Sequence, residues 1–237
     1  MDTGLRGLIV DWGGVLTAPL DEAMLAWARH ESVPIEAFQD VMRGWLGQPA
    51  EPAAGPAEPA GAGAAARPAT APVLDSPAHD LERGRLSPED FEIRLAGELA
   101  ERGVTVASHG LLARMLAGLA ELEEDMVSLV RRARRAGIAT ALLSNSWGEH
   151  YPEHQWAGAF DAVVISGRVG MRKPDREIFQ HTADLLHLEP GQCVMVDDMP
   201  RNVDAAVAAG MVGVLHHNYD QTAAELEILL GLPHMSR

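Results

Sequence analysis

The chain of 237 residues carries 34 acidic and 19 basic side chains, a formal charge of −15, with 47% hydrophobic and 22% charged residues. That profile suits a globular protein with a full core and excludes one that wraps nucleic acid, which needs a basic face. The single cysteine, Cys193, excludes a disulfide framework and a multi-cysteine zinc site, and no apolar run approaches the roughly 20 residues of a membrane span.

In chain order, residues 1–6 lack the basic patch and long apolar stretch of a secretion signal, so the expected location is the cytoplasm. Residues 5–11 are a short apolar run the size of a buried strand. Residues 18–122 then read as helix only, with apolar spacing of three and four over 21–30, 34–45 and 87–101. Ser87 as N-cap, Pro88 in the first turn and Asp90 at the third position open the last of these. Inside that stretch, every residue of 49–72 except Glu51, Glu58, Arg67 and Thr70 is Ala, Pro or Gly. Six prolines forbid a long helix there and nothing large is available to anchor a core, so a disordered insertion is expected.

Further apolar runs at 138–144, 161–166, 193–197 and 212–216 alternate with helical stretches at 124–136, 175–188, 200–209 and 222–230. Alternation of that kind requires right-handed crossovers and a parallel sheet covered on both faces. The expected class is α/β: a doubly wound, Rossmann-like parallel sheet formed by 1–17 and 123–237, with an inserted all-helical cap over 18–122.

Ligands of such sheets bind beyond the carboxyl ends of the strands. The first strand ends in Asp11-Trp12-Gly13-Gly14-Val15-Leu16, the second in Ser144-Asn145, and the fourth in Asp197-Asp198 followed by Asn202. Lys173, in Arg172-Lys173-Pro174-Asp175, is the sole lysine beside 18 arginines, which suggests a position that needs an ammonium rather than a guanidinium. Asp11, Asp197 and Asp198 cannot share one dry pocket without counterions. Mg²⁺ and Lys173 would balance them, since Mg²⁺ takes one or two carboxylates and shares oxygens with a substrate phosphate. The Ser144 hydroxyl can donate to a phosphate oxygen, and Gly13 and Gly14 allow backbone amides to approach it. The assembly suits phosphoryl transfer to a carboxylate nucleophile.

Other features have plainer readings. Asp175 reads as the N-cap of the following helix. His150-Tyr151-Pro152-Glu153-His154 fits a zinc pattern, but Pro152 prevents both histidines from sharing a helical face. His150 or His154 as a proton donor stays open. The arginines at 131, 132, 134 and 135 read as the solvent-facing end of a helix, complementing its dipole. Cys193 reads as core, and Trp12 and Trp147 suit either a pocket wall or packing.

With Asp11-x-Gly13-Gly14-Val15-Leu16, Leu143-Ser144-Asn145, Lys173-Pro174-Asp175 and Val196-Asp197-Asp198-x-x-x-Asn202 in this order, the sequence resembles the haloacid dehalogenase superfamily. The helical insert looks like the cap of its first subfamily, which includes many small-molecule phosphatases. The resemblance implies Asp11 as nucleophile, and Asp11, Asp198 and the Gly13 carbonyl as Mg²⁺ ligands. Asp197 and Asn202 are then outer-shell groups, Ser144, Asn145 and Gly14 phosphate contacts, and Lys173 the group that neutralises nucleophile and phosphate. It also implies a small phosphorylated substrate, with neither nucleic acid nor membrane as partner.

The usual phosphatase pattern has a second Asp two residues after the nucleophile, as general acid and base; here Gly13 stands in its place. A general acid contributes roughly 10²–10⁴-fold. Its loss therefore favours good leaving groups, such as sugar 1-phosphates or acyl phosphates, without abolishing turnover. A non-catalytic phosphate-binding protein is the alternative that Gly13 motivates. A dehalogenase is disfavoured by the Asp197-Asp198 pair, and a Schiff-base hydrolase is excluded by an insert without lysine.

Overall fold

The computed structural model describes residues 4–46, 76–148 and 151–233. The Ala/Pro/Gly-rich stretch 49–72 and His150 lie outside them. The chain begins with β1 (Gly7–Val10) and continues through α1 (Leu20–His30), α2 (Ile35–Leu46), α3 (Pro77–Glu82), α4 (Pro88–Glu101) and α5 (Leu111–Met115). It returns through α6 (Glu124–Arg135) to β2 (Ala139–Ser144), β3 (Ala162–Ile165), α7 (Ser166–Val169) and α8 (Arg176–Leu185). β4 (Cys193–Asp197), α9 (Pro200–Ala208), β5 (Val212–Leu215) and α10 (Tyr219–Leu230) complete it.

All strand pairs are parallel, in the order β3-β2-β1-β4-β5. Residues of the central strands β1, β2 and β4 alternate between two buried faces, as the period of two requires. Leu8, Val10, Leu142 and Val196 join a cluster with Met126, Val130 and Leu226, hence with α6 and α10. Ile9, Leu143, Val164 and Met195 join Ile178, Phe179 and Ala206 of α8 and α9 on the other side. The α/β class holds, and each strand lies within its expected run. The helices differ mainly at their ends. α10 starts at Tyr219 rather than 222, because the Asn218 side chain accepts from the Gln221 amide at 3.0 Å.

The inserted helices have a core of their own, built on Met24, Trp27, Phe38, Phe91, Leu95 and Leu111. Thr17 and Leu122 form an antiparallel bridge and the Glu123 amide donates to the Leu16 carbonyl at 2.8 Å, so the insert leaves and returns at adjacent points. Ser87 caps α4 as its spacing predicts, accepting from the Asp90 amide at 3.0 Å. The unforeseen α3 begins the same way, with Ser76 accepting from the His79 amide at 3.2 Å and Pro77 in the first turn. α5 was also unforeseen. Gly110 takes a positive φ before it, and the buried Glu92 of α4 accepts from the Gly110 and Leu112 amides at 3.0 and 2.9 Å.

The insert is fastened to the sheet side through α3. Glu82 and Arg172, both buried, form an ion pair, and Trp147 Nε1 donates to the same carboxylate at 3.0 Å. The Ser166 hydroxyl donates to the Glu82 carbonyl and accepts from the Ser146 amide at 2.7 Å. Asp175 stands at the N-cap of α8, but its carboxylate makes no cap bond; it pairs instead with Arg83 at 2.6 Å. The arginines of α6 are likewise less free than their spacing implies. Arg132 pairs with Glu227 at 2.6 Å, largely buried, and Arg134 with Asp161 at 2.7 Å.

Candidate active site

Register sets the site. Val10 of β1 lies opposite Val196 of β4, so Asp11 and Asp197, one residue further on, end adjacent strands side by side. The Asp11 amide donates to the Val196 carbonyl at 2.9 Å and locks that placement. The sheet reverses its strand order between β1 and β4, where parallel sheets bind ligands.

Lys173 reaches this point from the loop between α7 and α8. It is 1% exposed, and its ammonium lies 2.8 Å from Asp11 Oδ1 and 2.6 Å from Asp197 Oδ2. The Asn145 amide holds the lysine backbone, donating to the Lys173 carbonyl at 3.0 Å and accepting from its N–H at 2.9 Å. Asn145 thus acts on the lysine, a contact that its expected role at the phosphate did not include. Asp197 has a full set of partners: Oδ1 accepts from Asn202 Nδ2 and the Met199 amide, both at 2.9 Å, and Oδ2 takes the lysine.

Oxygens of Asp11, Asp197 and Asp198 lie within 4.8 Å of one another. Burial, opposed by Lys173 and reinforced by Asp197 and Asp198, pushes the Asp11 carboxyl up to about 8. Burial and then Asp197 push Asp198 up to about 6. For Lys173, burial works against the charge, but Asp11 and Asp197 outweigh it and hold the ammonium above its ordinary value. Three clustered acids, with one ammonium between two of them, crowd negative charge that a divalent cation would relieve.

Gly14 explains where Asp198 sits. With φ at +73°, it lies directly under that carboxylate, and a Cβ built there would fall 2.1 Å from Asp198 Oδ2. Gly13 is different: a Cβ would meet nothing within 4 Å, and the residue lines the adjoining cavity. That cavity, of about 1140 Å³, runs from Asp11, Lys173 and Asp198 on the sheet side to α1 and α2 of the insert.

Trp12, Asn145 and Trp147 line it, whereas Ser144, Gly14 and Asp197 do not. Ser144 is buried, and its hydroxyl is 2.9 Å from the Tyr151 hydroxyl, a partner absent from the sequence reading. Tyr151 also packs edge-on against Trp12, at 5.6 Å between ring centres, and lines the cavity. In the sequence it lies inside the His150–His154 window, where the histidines draw the eye. His154 is exposed and does not line the cavity.

The haloacid dehalogenase-like hydrolase family matches residues 5–210, which hold all of these side chains. The chain belongs to that family. Sesquiterpene phosphatase astK of Aspergillus oryzae is 30% identical to this hydrolase over 156 residues, 64% of this chain and 78% of the fungal protein. Mouse acyl-CoA dehydrogenase family member 10 is 31% identical over 144 residues, 59% of this chain, but the hydrolase spans only 13% of that much longer protein. In fold it is similar to the HAD family enzyme bt-2542 of Bacteroides thetaiotaomicron, crystallised with magnesium and inorganic phosphate. The TM-score is 0.57 at 18% identity, over 90% of this chain and 94% of the other.

Proposed function

We propose that this hydrolase is a Mg²⁺-dependent phosphatase of small phosphate monoesters. The observation that carries the reading is the clustering of three carboxylates at the strand-order reversal, two of them on one buried lysine. The description of the fungal relative as a phosphatase supports it.

The donor set fits Mg²⁺, a hard cation that takes one or two carboxylates and keeps several waters. Asp11 and Asp198 would hold it with the Gly13 carbonyl, since Asp197 already has Lys173, Asn202 and the Met199 amide. When bound, the cation supplies charge stabilisation at the phosphate oxygens. The remaining chemistry belongs to the chain. An Asp11 oxygen attacks phosphorus in line, the bond from phosphorus to the ester oxygen breaks, and that oxygen leaves with the bonding pair. Water then attacks phosphorus of the aspartyl phosphate, losing a proton to solvent, and phosphate departs as the carboxylate is regenerated. Lys173 holds Asp11 in place and offsets the added negative charge. Asn145 supports the phosphate end through the lysine backbone, Ser144 acts through its contact with the cavity-lining Tyr151, and Gly14 leaves the room that Asp198 needs.

The reading is tested by phosphate release from acetyl phosphate and p-nitrophenyl phosphate. Activity should depend on Mg²⁺, vanish with a chelator and return with added metal. No release from any ester, or release indifferent to chelation, would overturn it. Binding also has a readout without turnover. Mg²⁺ at about a hundred times its Kd should stabilise the fold by about 2.7 kcal/mol in thermal unfolding, and Asp198→Asn should remove most of that. An unchanged shift in the variant would count against Asp198 as a ligand.

Gly13 makes the leaving oxygen depart without a carboxylic acid at that position. Because a side chain there meets open space, Gly13→Asp should fold normally. It should raise turnover of alkyl phosphates by roughly 10²-fold and of acetyl phosphate far less. Equal gains on both substrates would refute the leaving-group argument.

A further inference from the structure

The cavity has two chemically distinct ends. The sheet end carries the charged groups already described, while the insert end is mainly hydrocarbon: Leu20, Met24 and Leu25 of α1 and Ile35, Phe38 and Met42 of α2 line it. Of the charged and amide side chains that the insert adds, Asp21, Glu22 and Gln39 are exposed, and the buried Glu82 is already taken by Arg172 and Trp147. Among the described lining residues the cations are Lys173 and Arg201, both from the sheet side. The insert wall therefore offers nothing to hold a second phosphate or a carboxylate. It offers little to replace the water that a sugar hydroxyl would lose on entering.

A lysine-bound phosphate occupies only the sheet end of a space of about 1140 Å³. At roughly 30 Å³ per non-hydrogen atom, the volume of a liquid water, half of the cavity takes on the order of twenty atoms. Apolar side chains lining open space of that size mark a ligand site.

Resting on the phosphatase reading, we propose that the substrates are phosphate monoesters whose organic part is an elongated hydrocarbon of roughly ten to twenty carbons, seated against α1 and α2. The same walls disfavour the sugar 1-phosphates that the leaving-group argument alone allows. Transfer is balanced as above: the bond from phosphorus to the ester oxygen breaks, the departing alkoxide takes a proton from water, and the apolar alcohol is released.

Prenyl monophosphates test this well, because dimethylallyl, geranyl and farnesyl phosphates share one reacting end and differ only in the tail. With Mg²⁺ present, kcat/KM should rise at least about a hundredfold from dimethylallyl to farnesyl phosphate, well short of the about fourfold per methylene that full burial gives. Glucose 1-phosphate should fall below the shortest member. Leu25→Asn, at a half-buried wall position, should shrink the farnesyl-to-dimethylallyl ratio about tenfold. A flat series, or a preference for glucose 1-phosphate, would overturn the proposal.

A binding arm separates this proposal from the reaction it rests on. Farnesol should displace an apolar fluorescent probe, N-phenylnaphthylamine, at lower concentration than geraniol does, and glycerol should not displace it. If acetyl phosphate and every phosphate ester resist hydrolysis, the phosphatase reading fails. The apolar occupant then stands or falls on that displacement order.

Discussion

Replacing Asp11 with Asn is expected to lower phosphate release by roughly 10⁴-fold or more while leaving the fold at least as stable. The first part follows from position: Asp11 ends β1 at the strand-order reversal, hydrogen-bonded at its amide to β4, with its carboxylate on the ammonium of Lys173. An amide in that place keeps the shape but cannot form the acyl phosphate. The second part follows from charge. Asp11 lies within 4.8 Å of two further carboxylates, so removing its charge relieves repulsion, and Lys173 retains Asp197 as partner. Phosphate assays beside thermal unfolding check both halves. Undiminished release would end the nucleophile assignment, and a large loss of stability would show that Asp11 serves the fold instead.

Lys173→Met should lower stability as well as activity. The lysine is 1% exposed and is the counter-charge for Asp197, which is itself fully buried. Removing one member of a buried ion pair costs about 3–5 kcal/mol, because the other charge stays behind unpaired. For a chain of this size that is a fall of roughly 10 °C in Tm. Mg²⁺ should recover part of the loss, since a cation beside Asp11 and Asp198 reduces the same surplus. A variant that melts with the parent chain would show that the acids are not held by this lysine.

Much of the fold was legible because each strand falls in a short apolar run, and β1, β2 and β4 are buried along nearly their whole length, a pattern that needs no tertiary knowledge to recognise. The helices that escaped notice have identifiable causes. α3 is six residues long, although Ser76-Pro77 repeats the Ser-Pro start seen at α4. α5 is capped by Glu92, a residue distant in sequence, so no local signal announces it.

The site was legible to the extent that strand ends place residues. Register alone brings Asp11 beside Asp197, and Lys173, Asp198 and Asn202 meet them there. What sequence could not provide is the direction of side chains within the assembled loops. Asn145 grips the lysine backbone, and Ser144 turns toward Tyr151. The hydrocarbon wall also depends on how α1 and α2 lean over the sheet. Their periodicity marks an apolar side but does not say that part of it faces empty space.

The burial of Lys173 has a practical consequence for chemistry done on this chain. No other lysine exists in the sequence, and this one is enclosed between two carboxylates. Amine-directed dyes, cross-linkers and resins therefore find no lysine on the folded surface. Acylation of Lys173 requires its ammonium to leave Asp11 and Asp197, so slow labelling would serve as a built-in clock for how often those ion pairs open at the centre of the molecule.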